Sequence, residues 1–535
     1  MDARLFAHIQ RKVPPFNLDL TRGLACKHLV GASDYIEAIM RCAELGFPPG
    51  LVYAGCSRVS PQESFNITTA KRSTKMMYEL SRSDIFLMRY RFEYNGEALK
   101  PRYLFLPYVR PGGILSIMGS TFSISPVLAD KSLSVGEDSI YIPMNRAKLT
   151  FKRHVVYYMA DGRRMSQPVI WCNAHNGHKK PNPGSERKTI TADAVLVHYL
   201  FCKYGLTETF AKFYKTHIVV GMPDMVNPVS YPSDQWIICE SARVKPPGVN
   251  NKFWVASDIR IAVPRDKFST EVATSVAGFF YIADRFPDRM DPSYCEDTSF
   301  WRILLGHIIH ASNENEGKLL LNINRHIESL DGYVDNMVRQ WLLEDKIPAE
   351  DIYELFFSMA NTFSSRLMEA QQALASMFGK RLMVLRYVLI DIIKAIFNMM
   401  FALKEASKKN MTIKDIEKIL HKSLKPLWII KINHKHAEVT SVSSSGDCMA
   451  FKITSNLVLQ ADIGAGSNSK STKLDATKVL HTSIAVAGQV NRLPKGEPTG
   501  RKNINPYVCL DAYDTIIPHA DDVALMARTE FNIRR

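Results

Sequence analysis

After Pro287 the apolar residues of this chain stop recurring at every second position and begin recurring at every third or fourth, and they keep that spacing to about residue 425. A period near 3.6 draws one apolar stripe along a helix, whereas a period of two draws one apolar face on a strand. The change divides the chain into a strand-forming part and a helix-forming part. Ile352, Leu355, Phe356, Met359 and Phe363 show the helical spacing plainly. Helices are expected over residues 300–310, 317–344, 348–377 and 380–408, packed as a bundle. A shorter helix is expected over 412–424, where Thr412 and Asp415 stand at the spacing of a capping box.

Upstream the texture differs. A helix-like stretch over residues 34–45 ends at Gly46-Phe47-Pro48-Pro49-Gly50, a strong turn signal. From about residue 85 to 263 short runs rich in β-branched and aromatic residues follow one another, at 89–94, 103–109, 114–117, 148–158 and 168–171, with Gly, Pro, Asn and Asp between them. Ala160-Asp161-Gly162 predicts a hairpin turn. Helices over 191–204 and 207–215 interrupt the strands. Beyond Pro426 strands return, at 428–432, 448–454, 457–463, 479–486 and 507–510, separated by polar loops at 464–472 and 492–503.

The expected class is therefore α+β, with a β-rich N-terminal half, a central helical bundle and a small C-terminal β domain. The expected divisions are an α/β cap at 1–60, a basic β-rich domain at 61–290, the bundle at 291–425 and the C-terminal β domain with basic loops at 426–535. A chain of 535 residues supports such a division, because a single core stops growing at about 250–300 residues.

Charge gives the first functional constraint. Lys and Arg number 68 against 53 Asp and Glu, a formal net charge of +15. Such a surplus draws polyanions, and nucleic acid heads the expected partners. Nine cysteines scattered singly do not form a disulfide framework, so a reducing, cytoplasmic location is expected. The N-terminus shows no apolar leader. Residues 382–403 are apolar enough to suggest a membrane span, but Arg386, Asp391 and Lys394 lie in the middle of the run. Each such charge costs about 2.5–3.5 kcal/mol at a bilayer centre. A buried helix is expected there, and no membrane partner.

The surplus is concentrated. Between residues 145 and 190 ten Lys and Arg face only Asp161 and Glu186, a net +8. Arg146, Lys148, Lys152 and Arg153 fall on or beside an expected strand with Phe151, Tyr157 and Tyr158. Arg163 and Arg164 follow the hairpin turn, and Lys179, Lys180, Arg187 and Lys188 flank a polar loop. Cations that hold phosphates beside rings that stack on bases suit single-stranded nucleic acid. Alternation limits this patch, since Lys148 and Lys152 share one strand face and Arg153 lies on the other. Residues 71–110 interleave further cations with Tyr78, Tyr90, Phe92 and Tyr94. Lys470, Arg501 and Lys502 add cations from the C-terminal loops.

Other chemistry is thinner. Cys172, His175 and His178 form a C-x2-H-x2-H cluster with zinc-binding donors, with His198 or Cys202 as the nearest fourth ligand. The stretch Gly464-Ala465-Gly466-Ser467-Asn468-Ser469-Lys470-Ser471 approaches a phosphate loop but has Ser469 where the pattern needs glycine. Asp258, Asp447, Asp511 and Asp514 are candidates for magnesium-dependent catalysis, though acids at strand ends are commonly turn formers. No G-x-S-x-G, H-E-x-x-H or paired C-x-x-C motif appears, so an enzyme is not favoured and no cofactor is expected. The expected function is a nucleic-acid-binding accessory protein or subunit of a replication, transcription or genome-packaging assembly, with other protein subunits as partners. The alternatives are a structural protein of a large, possibly viral complex, and a metal-dependent nuclease or polymerase-like enzyme.

Overall fold

A computed structural model describes residues 17–425 apart from 70–79, 145–147, 174–193, 311–314, 373–375 and the positions 118, 125, 130–132, 137, 248, 250 and 409–410. Beyond 425 it describes 439–441, 458–461, 483, 487–488 and 501–518. The class is mixed helix and strand: the N-terminal half is strand-rich, helices occupy the middle, and small strands occur near the C-terminus. Residues 132–372 form one compact unit, and the segments on either side of them form another.

In the outer unit the strands Leu51–Arg58, Ile85–Tyr94 and Arg102–Pro107 pair antiparallel, with the middle one shared. The helix Ala32–Glu44 buries Ile36, Ile39 and Met40. The short C-terminal strands find partners far upstream: Val439–Ser441 lies on Ser120–Ile124, and Val458–Ala461 runs parallel to Val127–Ala129. Strands of three or four residues gain little as isolated hairpins, so pairing with distant strands is how they become stable.

The stretch read as one helix over 380–408 begins instead with the strand Arg381–Met383, paired to Val127–Ala129, before the helices Leu385–Val388 and Ile390–Ala406. Tertiary pairing overrides local helical spacing here. The long helix buries Ile392, Ile396, Phe397 and Leu403 and leaves Lys394 exposed. Among the described residues no helix is long and apolar enough to cross a membrane. Thr412 and Asp415 form the expected capping box at the start of Ile413–Ser423. The expected strands at 428–432 and 448–454 lie outside the described residues. Within the run at 479–486 only Ser483 is described, and it is helical.

The inner unit is built on an antiparallel sheet. Its strands are β1 (Ser134–Val135), β2 (Ser139–Pro143), β3 (Lys148–Ala160), β4 (Arg163–Cys172), β5 (Ala194–Val195), β6 (Val219–Gly221), β7 (Trp236–Ser241) and β8 (Arg260–Pro264). The order is β5-β4-β3-β7-β8-β6, with β2 also paired to β3 and β1 to β2. The helices are α1 (Leu196–Tyr204), α2 (Leu206–Tyr214), α3 (Thr270–Ala283), α4 (Thr298–His310), α5 (Glu316–Leu330), α6 (Asn336–Glu344) and α7 (Ile352–Gln372).

β3 and β4 form the expected hairpin. Asp161 and Gly162 both take positive φ, 49° and 73°, the two-residue turn that Asp-Gly favours. Along β3 the buried side chains change parity: Leu149 and Phe151 are buried, then Val156, Tyr158 and Ala160. Successive side chains of a strand point to opposite faces, so the sheet is covered on one face near the start of β3 and on the other near its end. Phe151 packs edge-on against Phe356 of α7 at 6.3 Å between ring centroids. Tyr158 stacks on Phe280 of α3 at 6.1 Å.

Candidate nucleic-acid interface

The change of parity decides what each basic side chain of the hairpin faces. Lys148 and Lys152 are exposed on the face where α3 covers the far end of β3, and the Lys148 ammonium sits 4.3 Å from the centroid of the Tyr141 ring. Arg153, Val155 and Tyr157 are exposed on the opposite face. The register Met159↔Arg164 and Tyr157↔Ser166 puts Arg164 and Ser166 on that same face, while Ala160↔Arg163 puts Arg163 on the other. The Arg164 guanidinium lies 4.4 Å from the centroid of the Tyr157 ring. Tyr157 is 40% exposed, whereas Tyr158 is fully buried against α3. Of the two adjacent tyrosines, Tyr157 alone presents a ring to solvent.

Arg153 is paired with Asp138 at 3.5 Å. At the hairpin tip Arg265 binds Asp161, so the turn is held by an ion pair to the segment after β8. Arg163 and Arg164 have no such acid partner among the described ion pairs and remain exposed. Arg501 and Lys502 lie on the strand Arg501–Asn503, which pairs with Val458–Ala461 in the outer unit. Arg146, Lys179, Lys180, Arg187, Lys188 and Lys470 lie outside the described residues.

One part of this region was not singled out in the sequence. β2 pairs with β3 as far as Lys152↔Ser139, and β7 pairs with it from Tyr158↔Ser241 onward. Both lie on the side of β3 opposite β4. Between them, among the described residues, no strand pairs with residues 153–157 on that side. A cavity of about 600 Å³ opens in this gap. Val155 and Tyr157 line it from β3, residues 244–247 line it from the segment after β7, and Tyr281 and Asp284 close it from α3 and its C-terminal end.

Asp284 is 4% exposed. Burial pushes its carboxyl up to about 6, against the opposing pull of hydrogen bonds that it accepts from the Ser241 hydroxyl at 2.7 Å and the Ser257 N–H at 3.1 Å. His154, also lining the gap, has its pKa lowered by burial. The hint in the sequence was the shift of hydrophobic parity between Phe151 and Val156, which marks where coverage of the strand changes.

A sequence model of the family described as "Non-virion RNA polymerase subunit" matches residues 4–515. The chain belongs to this family. It is a subunit of a viral transcription assembly, and its partners include other protein subunits. No curated protein sequence matches it.

The remaining sequence candidates of this polymerase subunit are dispersed. Cys172 is buried at the end of β4, while His175 and His178 lie outside the described residues. His198 is wholly buried in α1, where its Nε2 meets the Trp301 carbonyl at 2.9 Å. Desolvation holds its pKa down to about 3, a neutral imidazole in the core.

Asp258 is exposed just before β8 and pairs with Arg243 at 3.5 Å. Asp511 accepts the N–H groups of Tyr513 and Thr515, which is the work of a turn former. Asp514 binds Lys27 and His28 at 2.8 and 2.6 Å. Among the described residues no cluster of three or more His, Cys, Asp or Glu has the geometry of a metal site. Asp447 and the near phosphate loop at 464–471 lie outside the described residues.

Proposed function

We propose that this polymerase subunit holds single-stranded nucleic acid on the outer face of the β3–β4 hairpin, with Arg164 contacting a phosphate and Tyr157 stacking on a base. The observation that carries the reading is the exposed Tyr157 ring with the Arg164 guanidinium over it. A ring accepts any base on its π-face, and a cation beside it holds the neighbouring phosphate. The chain's +15 net charge supports the same reading, as does membership of a transcription assembly. Lys148 and Lys152, on the other face, would touch a different stretch of the same polymer. The role requires neither zinc nor magnesium, and it suits a cytoplasmic protein.

The test is anisotropy titration of a labelled single-stranded oligonucleotide with the full-length chain over a range of salt concentrations. The reading expects affinity to fall linearly on logarithmic axes as salt rises and to weaken on Tyr157→Ala. Binding that ignores both salt and Tyr157 would refute it.

A further inference from the structure

Among the described residues no strand pairs with residues 153–157 of β3 on the side of β2 and β7, which leaves an open backbone edge inside a sheet, unlike an ordinary outer edge. The backbone groups of a paired strand alternate between its two neighbours. The Asp161 N–H donates toward β7, to the Ile238 carbonyl at 3.0 Å, and the Thr150 carbonyl faces β4, where it accepts from the Asn173 N–H at 3.0 Å. Odd-numbered residues of β3 therefore direct their backbone groups toward the side of β2 and β7. Val155 stands midway between the last pair with β2 and the first with β7, so its N–H and C=O point into the gap. At about 3.4 Å per residue, the six steps from Lys152 to Tyr158 leave an opening of about 20 Å.

The geometry points to a docking slot in which a short extended segment of another subunit of the polymerase adds as a strand between β2 and β7. Backbone pairing to an exposed edge, with side-chain pockets for alternate residues, is a recognised mode of peptide capture. The walls are suited to apolar side chains: Val155 is 47% and Val244 41% exposed, and Pro246 and Pro247 line the same cavity. The rim favours an acidic flank on the guest. Arg153 is matched by Asp138 and Arg243 by Asp258, whereas exposed Lys245, which lines the cavity, has no acid beside it among the described ion pairs. The guest is thus an apolar, acid-flanked peptide of a partner subunit. This inference rests on family membership and not on the nucleic-acid reading.

The experiment compares hydrogen–deuterium exchange at the Val155 amide in the isolated chain and in the assembled polymerase without nucleic acid. Exchange is expected to slow at least tenfold on assembly. Val155→Pro removes the guest-facing donor at a position where no described strand needs it, and is expected to lower retention in the complex about fivefold, the worth of one net hydrogen bond. Should that variant fail to fold, Val244→Glu alters only the opposite wall and is expected to weaken retention likewise.

Equal exchange in both states overturns the inference. So does slowing that appears only after an oligonucleotide is added, which would assign the slot to nucleic acid, or slowing with chain concentration alone, which would assign it to a second copy. Retention of Val155→Pro at the wild-type level also overturns it. The salt dependence of oligonucleotide binding by Val155→Pro stays at the wild-type value, so failure of the slot and failure of the nucleic-acid reading are separable.

Discussion

Arg163 and Arg164 are neighbours in sequence but point to opposite faces of the hairpin, and the proposed interface makes them unequal. Arg164 shares its face with Tyr157, and Arg163, paired with Ala160, does not. A strand of nucleic acid lying on the Tyr157 ring should therefore lose one phosphate contact on Arg164→Glu and almost none on Arg163→Glu. Each phosphate neutralised on single-stranded nucleic acid contributes about 0.7 to the slope of log affinity against log salt. Arg164→Glu should thus flatten the slope by about 0.7, and Arg163→Glu by much less.

Tyr157→Ala removes a stacking partner and no charge. It should cost about 1–3 kcal/mol of binding at every salt concentration and leave the slope alone. Neither arginine supports the fold much: Arg164, an exposed cation over a ring, contributes about 0.5–1 kcal/mol, and Arg163 is exposed with no acid partner among the described ion pairs. Anisotropy titrations of the three variants beside the wild type decide the matter. Equal flattening by the two arginine variants would show that the polymer crosses the turn instead of lying on the Tyr157 face, and no flattening by either would remove the hairpin from the interface.

Other consequences can be measured on the isolated chain. Tyr158 is fully buried, and among the described residues its hydroxyl has no hydrogen-bond partner, so Tyr158→Phe should leave stability unchanged or raise it by up to about 1 kcal/mol in urea denaturation; a clear loss would mean the hydroxyl is satisfied. Gly278 lies inside α3, where an added Cβ would come within 2.4 Å of the Val197 side chain. Gly278→Ala should destabilise by about 1–3 kcal/mol through overpacking, despite the better helix propensity of alanine. Adding Val197→Ala should recover part of that loss, and additive effects would argue against the contact.

Asp284, with its pKa raised to about 6, binds its proton more tightly folded than unfolded. Its contribution to stability is therefore present at acid pH and lost as pH rises from about 4 through 6, by on the order of 2–3 kcal/mol. Asp284→Asn should abolish that part of the pH dependence, and an identical profile in wild type and variant would refute the assignment.

The legible parts of the fold were those written in local chemistry. Asp161-Gly162 announced a hairpin because few other pairs accept two positive φ values, and Thr412 with Asp415 announced a helix start. The helix Thr270–Ala283 escaped notice because nearly every side chain in it is buried, and a helix apolar all round has no stripe to detect. The strand Arg381–Met383 escaped because its partner lies some 250 residues earlier, at Val127–Ala129.

At the candidate site composition pointed to the region and stopped there. Tyr157 and Tyr158 are indistinguishable until one knows that the covered face changes between Phe151 and Val156. That change depends on where α3 and α7 pack.

The pairing of late strands with early ones has a consequence for biosynthesis. The edge of Ser120–Ile124 is filled by residues 439–441, that of Val127–Ala129 by residues 458–461, and Asp514 clasps Lys27 and His28. A nascent chain with residues 132–372 already synthesised has an entire inner sheet and its helices to fold, yet the strands Ser120–Ile124 and Val127–Ala129 still wait for partners several hundred residues away. Such long loops close slowly and leave strand edges bare meanwhile. These two pairings are thus among the last to settle, and loss of residues 439–441 and 458–461 would leave an edge of Ser120–Ile124 and of Val127–Ala129 bare.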